Sequence, residues 1–167
     1  MDTFSPRIKC NGIEIEELGM TDGDIREIQK IMIVACGSAS HVGHTSKYIL
    51  EGLARIPVEV DMASEFRYRN PILDEHTLVI VISQSGETAD TLAALREAKK
   101  MGARVLGIVN VVGSSIAREA DNVMYTWAGP EIAVATTKAY SAQLTAMYLL
   151  AMKFAQVRGK LSESDLE

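Results

Sequence analysis

The sequence predicts a three-layer α/β/α protein: a parallel, five-stranded sheet with the flavodoxin-like order 2-1-3-4-5 and helices on both faces. Two observations lead there. Short β-branched runs recur along the chain, with stretches of helical periodicity between them. The most complete of these runs are continuously apolar rather than alternating, the pattern of strands covered on both faces in a parallel sheet. Crossovers between parallel strands are right-handed, which leaves few topologies. In the order 2-1-3-4-5 the first and third strands are neighbours. The switch point lies between their carboxyl ends, where such sheets seat ligands.

Residues 1–30 read as an amino-terminal arm and short helix. Ile13-Glu14-Ile15-Glu16 alternates like a short edge strand or a connecting arm, and Thr21-Asp22-Gly23-Asp24 starts a turn of helix over 25–30. The main domain is placed at 31–159. Its first strand is 31–36, ended by Gly37-Ser38-Ala39-Ser40, and a helix follows over 41–55 with Val42, Tyr48, Ile49 and Leu53 as its apolar face. Pro57 opens a second strand through 62, a short helix spans 63–68, and Asn70-Pro71 turns the chain. The third strand, 77–83, stops at Ser83-Gln84-Ser85-Gly86, and the helix 88–101 ends at Gly102. The fourth strand is 103–110. Ser114-Ser115 caps a short helix through 120, and 122–127 forms a shorter fifth strand. After a loop over 130–138 comes a long helix over 139–157, rich in Leu, Met and Ala, a core element or a subunit contact. Residues 160–167 are polar and read as the start of a linker.

A chain of 167 residues with 47% hydrophobic and 23% charged residues is globular and long enough for one domain with a real core. A net charge of -5 without a basic tract argues against nucleic acid as a partner. No basic-then-apolar leader and no membrane-length apolar run is present, so a cytoplasmic location and no membrane partner are expected. Cys10 and Cys36 show neither CxxC nor zinc spacing and read as reduced thiols.

The chemistry concentrates where the third strand meets the next helix. A strand end followed by a helix start offers unpaired N–H groups and the positive end of a helix dipole. Ser83, Ser85 and Thr88 add neutral donors, and Gly86 lets the backbone approach an anion. A helix cap or a tight turn would explain any one of these hydroxyls; three with a glycine at the switch point favour a phosphate ligand. The topology brings Gly37-Ser38-Ala39-Ser40 to the same place. A P-loop is excluded because the 37–43 stretch has the wrong spacing and His44 in place of the lysine, and the dinucleotide fingerprint GxGxxG fails at Gly37. Thr136 and Thr137 read as helix caps. His41 and His44 lie three apart, but no third ligand is evident, so no metal and no cofactor are expected. Glu87 stands beside the site without neighbours that would raise its pKa, and no complete acid–base set is visible.

Five stretches now on the page carry a resemblance: 35–38, Ala63-Ser64-Glu65-Phe66-Arg67-Tyr68-Arg69, the run from Ser83 through Leu92, 112–115, and Glu131 through Tyr140. In this order they resemble the first sugar isomerase (SIS) domain of the glutamine–fructose-6-phosphate aminotransferase (glucosamine-6-phosphate synthase) family, over about residues 10–159. The resemblance implies a phosphosugar site. By it, Ser83, Gln84, Ser85 and Thr88 bind the phosphate and neighbouring sugar hydroxyls, Gly37, Ser38 and the backbone of Ala39 face the same ligand, and Val134 and Thr136 approach the sugar. Two departures stand out. Ser38-Ala39 replaces the usual Thr-Ser or Thr-Ala, and Thr136 stands where Ser is common.

The family makes glucosamine 6-phosphate from fructose 6-phosphate and glutamine. A glutaminase domain releases ammonia, and two SIS domains carry the sugar chemistry. The family's glutamate, histidine and Schiff-base lysine come from later regions, so no catalytic residue is assigned in this chain. The chain is expected to bind sugar phosphate, either fructose 6-phosphate or glucosamine 6-phosphate, without catalysing by itself. Its implied partners are a glutaminase domain, a second SIS domain and a second copy in a homodimer. Two alternatives remain open: a glucosamine-6-phosphate deaminase or sugar-phosphate isomerase domain, and a non-catalytic phosphosugar sensor.

Overall fold

Along the central strands, side chains alternate between two cores. Ile31, Ile33, Ala35, Leu78, Ile80, Ile82, Leu106, Ile108 and Met124 face one core. Met32, Val34, Val79, Val81, Val105 and Val109 face the other. The computed structural model describes residues 2–10, 12–132 and 136–161. A two-stranded hairpin, β1 (Ile8–Lys9) with β2 (Gly12–Ile13), precedes the helix α1 (Asp22–Glu27). Then come β3 (Lys30–Ala35), α2 (Ser38–Leu53), β4 (Val58–Met62), α3 (Ala63–Phe66), β5 (Thr77–Ser83), α4 (Ala89–Lys100), β6 (Arg104–Val109), α5 (Ser115–Glu119), β7 (Asn122–Tyr125) and α6 (Lys138–Val157).

The five-stranded sheet runs β4-β3-β5-β6-β7, all parallel, which is the order 2-1-3-4-5 among its own strands. In register, Ile33 pairs with Val60 on one side and Ile80 on the other. The helices α2 and α6 cover the first core with Val42, Leu50, Met147, Leu150 and Phe154. The helices α3, α4 and α5 cover the second with Phe66, Ala94, Leu95, Ala98 and Ile116. Gly43 sets how closely α2 approaches the sheet, because a Cβ there would stand 3.0 Å from Ile33 Cγ2 and 3.1 Å from Val60 Cγ1.

The amino-terminal arm is fastened to this body. Ile13, Ile15, Leu18, Ile25 and Ile28 are buried in the first core. Arg7 is 3% exposed. Its guanidinium bonds Glu17 Oε1 at 2.8 Å and also donates to the carbonyls of Thr3 and Tyr125, while the Thr3 hydroxyl donates to the Thr126 carbonyl. A capping box between Thr21 and Asp24 starts α1.

The alternating stretch at 13–16 enters the short hairpin strand β2 at Ile13 and then runs on as a connecting arm. Several local expectations are corrected. The helix α1 begins at Asp22 and is over by Glu27, since Lys30 already belongs to β3. The helix α2 starts at Ser38, three residues earlier than His41, because Gly37 at φ +58° turns the chain directly into it. Tyr48 does not join the apolar face: it is 75% exposed. The strand β7 stops at Tyr125, since Trp127 takes φ +51°.

Candidate functional site

Strands β3 and β5 deliver their carboxyl ends side by side, because Ala35 pairs with Ile82. The loops that follow enclose a concavity of about 300 Å³. Cys36, Gly37, Ser38 and Ala39 line it from the first loop, and Ile82, Ser83, Gln84, Ser85 and Thr88 from the second. Thr136 and Gln143 close it from the α6 side. The lining thus brings together Gly37, Ser38, Ala39, Ser83, Gln84, Ser85, Thr88 and Thr136 from the sequence-predicted set; Val134 lies outside the described residues. Gln143 was not anticipated. It is a 3% exposed amide on α6 with Ser141 and Thr145 close by in sequence, so the residue pattern does not set it apart.

Hydrogen bonds within the second loop fix its hydroxyls. Ser83 Oγ accepts the Gly86 N–H at 3.0 Å and lies 3.0 Å from Thr88 Oγ1. Ser85 Oγ accepts the Glu87 N–H at 3.2 Å, which leaves its own proton free to donate. Thr88 occupies the N-cap position of α4 but makes no side-chain cap bond, so its hydroxyl is turned to Ser83 instead of the helix. Ser38 is exposed at the first position of α2. Thr136 Oγ1 is buried with no hydrogen-bond partner among the described residues.

The electrostatics are those of neutral donors. Among the described residues, no charged side chain lines the concavity. The amino ends of α2 and α4, whose first N–H groups have no partner within their helices, lie at it, and Thr136 just precedes α6. Helix starts favour negative charge by about 0.3–1 kcal/mol each, up to about 2 where partly buried. The carboxylates nearby are held away: Asp90 pairs with Arg67 at 2.9 Å, and Glu87 Oε1 accepts the Ser115 N–H at 2.7 Å. The Ser115 hydroxyl, and after it the Ser115 N–H, hold the Glu87 carboxyl below the usual carboxylate range, with a smaller contribution from Arg118. His41 and His44 are exposed on α2, and no group of three metal-ligating side chains exists among the described residues.

A second, more open concavity of about 570 Å³ lies at the opposite rim of the sheet, at the amino ends of β6 and β7. Its two cations, Lys99 and Arg104, are both paired. Lys99 pairs with Asp121 at 2.7 Å, and Arg104 with Asp24 at 3.1 Å. It offers no free donor set comparable to the switch-point cleft.

Fold and cleft together define a doubly wound α/β domain with an uncharged, hydroxyl-lined ligand site at its switch point. A model of the SIS domain family matches residues 24–153, and the chain belongs to that family. It is 63% identical to a glutamine–fructose-6-phosphate aminotransferase (isomerizing) of Clostridium tetani, over 99% of this chain and 28% of that protein. It therefore spans little more than a quarter of that relative's length. Among solved structures it is similar to the C-terminal domain of a glucosamine-fructose-6-phosphate aminotransferase from Francisella tularensis, with a TM-score of 0.92 and 37% identity over 99% of this chain and 46% of that one. A glucosamine-6-phosphate deaminase of Thermotoga maritima shares the fold, with a TM-score of 0.72 and 24% identity over 99% of this chain and 50% of that one.

Proposed function

We propose that this chain is the phosphosugar-binding first SIS domain of an isomerising glutamine–fructose-6-phosphate aminotransferase, which converts fructose 6-phosphate and glutamine to glucosamine 6-phosphate and glutamate. The observation that carries this reading is the cleft itself: hydroxyls of Ser38, Ser85 and Thr88 and the starts of two helices meet there without a charged side chain. The 63% identity to a protein of that name favours the aminotransferase over the deaminase and sensor alternatives.

Ser83, Gln84, Ser85 and Thr88 hold the phosphate, Gly37, Ser38 and Ala39 face it from β3, and Val134 and Thr136 approach the sugar. The chemistry of ring opening, amination and ketose-to-aldose isomerisation takes place at the other end of the sugar, with groups from outside this segment. Anchoring the remote phosphate converts binding energy into positioning of the reacting carbons. Each hydrogen bond to a charged phosphate oxygen contributes about 1.5–3 kcal/mol, so one lost donor lowers affinity about tenfold or more. In this reading residues 1–30 are an arm, 31–159 the SIS domain, and 160–167 the start of a linker to a second SIS domain. A glutaminase domain and a second subunit complete the enzyme, and the cytoplasm, where these metabolites occur, is its location. No helix among the described residues is long and apolar enough to cross a membrane.

Calorimetric titration with fructose 6-phosphate, glucosamine 6-phosphate and unphosphorylated fructose tests the reading. Binding of both phosphosugars with no heat from fructose is expected; equal binding of fructose would overturn it. In the full-length enzyme, Ser85→Ala is expected to raise KM for fructose 6-phosphate about tenfold.

A further inference from the structure

The 83–88 loop is docked onto α5 by two hydrogen bonds. The Ile116 N–H donates to the Gly86 carbonyl at 3.0 Å, and the Ser115 N–H donates to Glu87 Oε1 at 2.7 Å. The residue expected to cap α5, Ser114, makes no side-chain cap bond, and its Oγ is buried without a partner among the described residues. Glu87, 28 residues away in sequence, supplies the acceptor instead. The packing there is close: a Cβ on Gly86 would stand 2.0 Å from Ser114 Oγ. At its other end α5 is tied back to α4. Arg96 makes two 2.7 Å bonds to the Glu119 carboxylate, and Lys99 donates to the Glu119 carbonyl at 2.8 Å. Loop, α4 and α5 therefore form a closed mechanical unit.

Glu87 bridges the two halves of that unit. Its carboxylate grips α5, while its own N–H donates to Ser85 Oγ at 3.2 Å and sets that hydroxyl. We propose that Glu87 is a positioning residue for the phosphate cradle, aligning Ser85 through its bond to the Ser115 N–H without touching the ligand. This inference rests on the phosphosugar reading above. It explains why a carboxylate is tolerated next to a dianion site: its charge is turned onto the start of α5 and toward Arg118.

The test removes each partner of the bond separately. Glu87→Ala deletes the acceptor, and Glu87→Gln keeps it while deleting the charge. Ser115→Pro deletes the donor at the first helical position, where proline is accommodated, and the extended Ser114 that precedes it (φ -61°, ψ 163°) suits a following proline. Fructose 6-phosphate affinity is measured by calorimetry for each variant and for Glu87→Ala/Ser115→Pro, with circular dichroism confirming the fold. About tenfold weaker binding is expected for Glu87→Ala and for Ser115→Pro, with the double variant no weaker than either, and near-normal binding for Glu87→Gln. Unchanged affinity in Glu87→Ala, additive losses in the double variant, or a Glu87→Gln loss as large as that of Glu87→Ala would overturn the proposal. Failure of the unsubstituted chain to bind would instead overturn the phosphosugar reading itself.

Discussion

Ser83 Oγ lies 3.0 Å from Thr88 Oγ1 and, on its other side, 3.0 Å from the Gly86 nitrogen whose proton it accepts. One hydroxyl thus closes the turn between β5 and α4. With the Gly86 N–H spent on Ser83 and one hydroxyl proton shared between Ser83 and Thr88, the other hydroxyl proton of the pair is left for a ligand, and each bond in such a chain polarises the next. Ser83 is 3% exposed but still lines the cleft, so it orders the loop from within, while Thr88, Ser85 and Ser38 are the more accessible hydroxyls there.

Substitution at the two ends of this pair should separate stability from binding. Ser83→Ala leaves the buried Gly86 N–H without an acceptor and is expected to destabilise the fold by about 1–3 kcal/mol in denaturant unfolding. Thr88→Val keeps the shape and deletes the more exposed hydroxyl of the pair. It should lower affinity for fructose 6-phosphate about tenfold while the unfolding midpoint moves little.

Gly86→Ala is expected to be damaging twice over. The residue sits at φ +67°, and the new methyl would collide with the Ser114 side chain. A cost of about 2 kcal/mol or more follows from backbone strain and overpacking. Pairing it with Ser114→Gly should recover part of the loss, read as a rise in unfolding midpoint over the single variant.

Acid stability should carry the signature of Asp24. Bonds from the Thr21 backbone and hydroxyl, with Arg104 next in weight, hold its carboxyl down at about 2, against an ordinary 3.8. A folded-state pKa below the unfolded one means the contribution is complete above about 4 and is lost as pH falls toward about 2. Glu59, Asp74, Glu87 and Glu119 are displaced in the same direction. Asp24→Asn should therefore flatten, without abolishing, the fall in unfolding midpoint between pH 4 and 2, which a pH series of thermal melts would show.

Ligand binding should follow the protonation of the ligand. The donors of the cleft are hydroxyls and amides, with no histidine or carboxylate in its lining among the described residues. A phosphate monoester becomes a dianion through a pKa of about 6. Affinity for fructose 6-phosphate is therefore expected to rise between pH 5 and 7. A calorimetric series over that range showing a fall would contradict this and point to a titrating cation at the phosphate.

Much of the fold was legible because its strands are extreme. A run such as Thr77–Ser83, buried at every position, can only be an interior parallel strand, and the glycine- and serine-rich ends of β3 and β5 located the switch point. What sequence pattern missed depended on partners distant in the chain. Tyr48 matched the helical period, yet α2 turns it to solvent. Ser114 looked like a cap, but Glu87 does the capping from another loop. Arg7 looked like an arm residue, and burial of its guanidinium against Glu17 and the Tyr125 carbonyl emerges only when the arm folds back. Gln143 entered the cleft through the packing of α6 against α2. Periodicity reports which face is apolar; it carries no information on which loop lies across from that face.

The most direct measurement is a residue-resolved NMR titration of this chain with fructose 6-phosphate. Phosphate held at the switch point requires the amides of Ser38, Ala39 and Gln84 through Thr88 to shift together, on one saturation curve, with unphosphorylated fructose leaving them in place. Shifts gathered instead around Lys99, Arg104 and Asp121 at the opposite rim, with these amides unmoved, would contradict it.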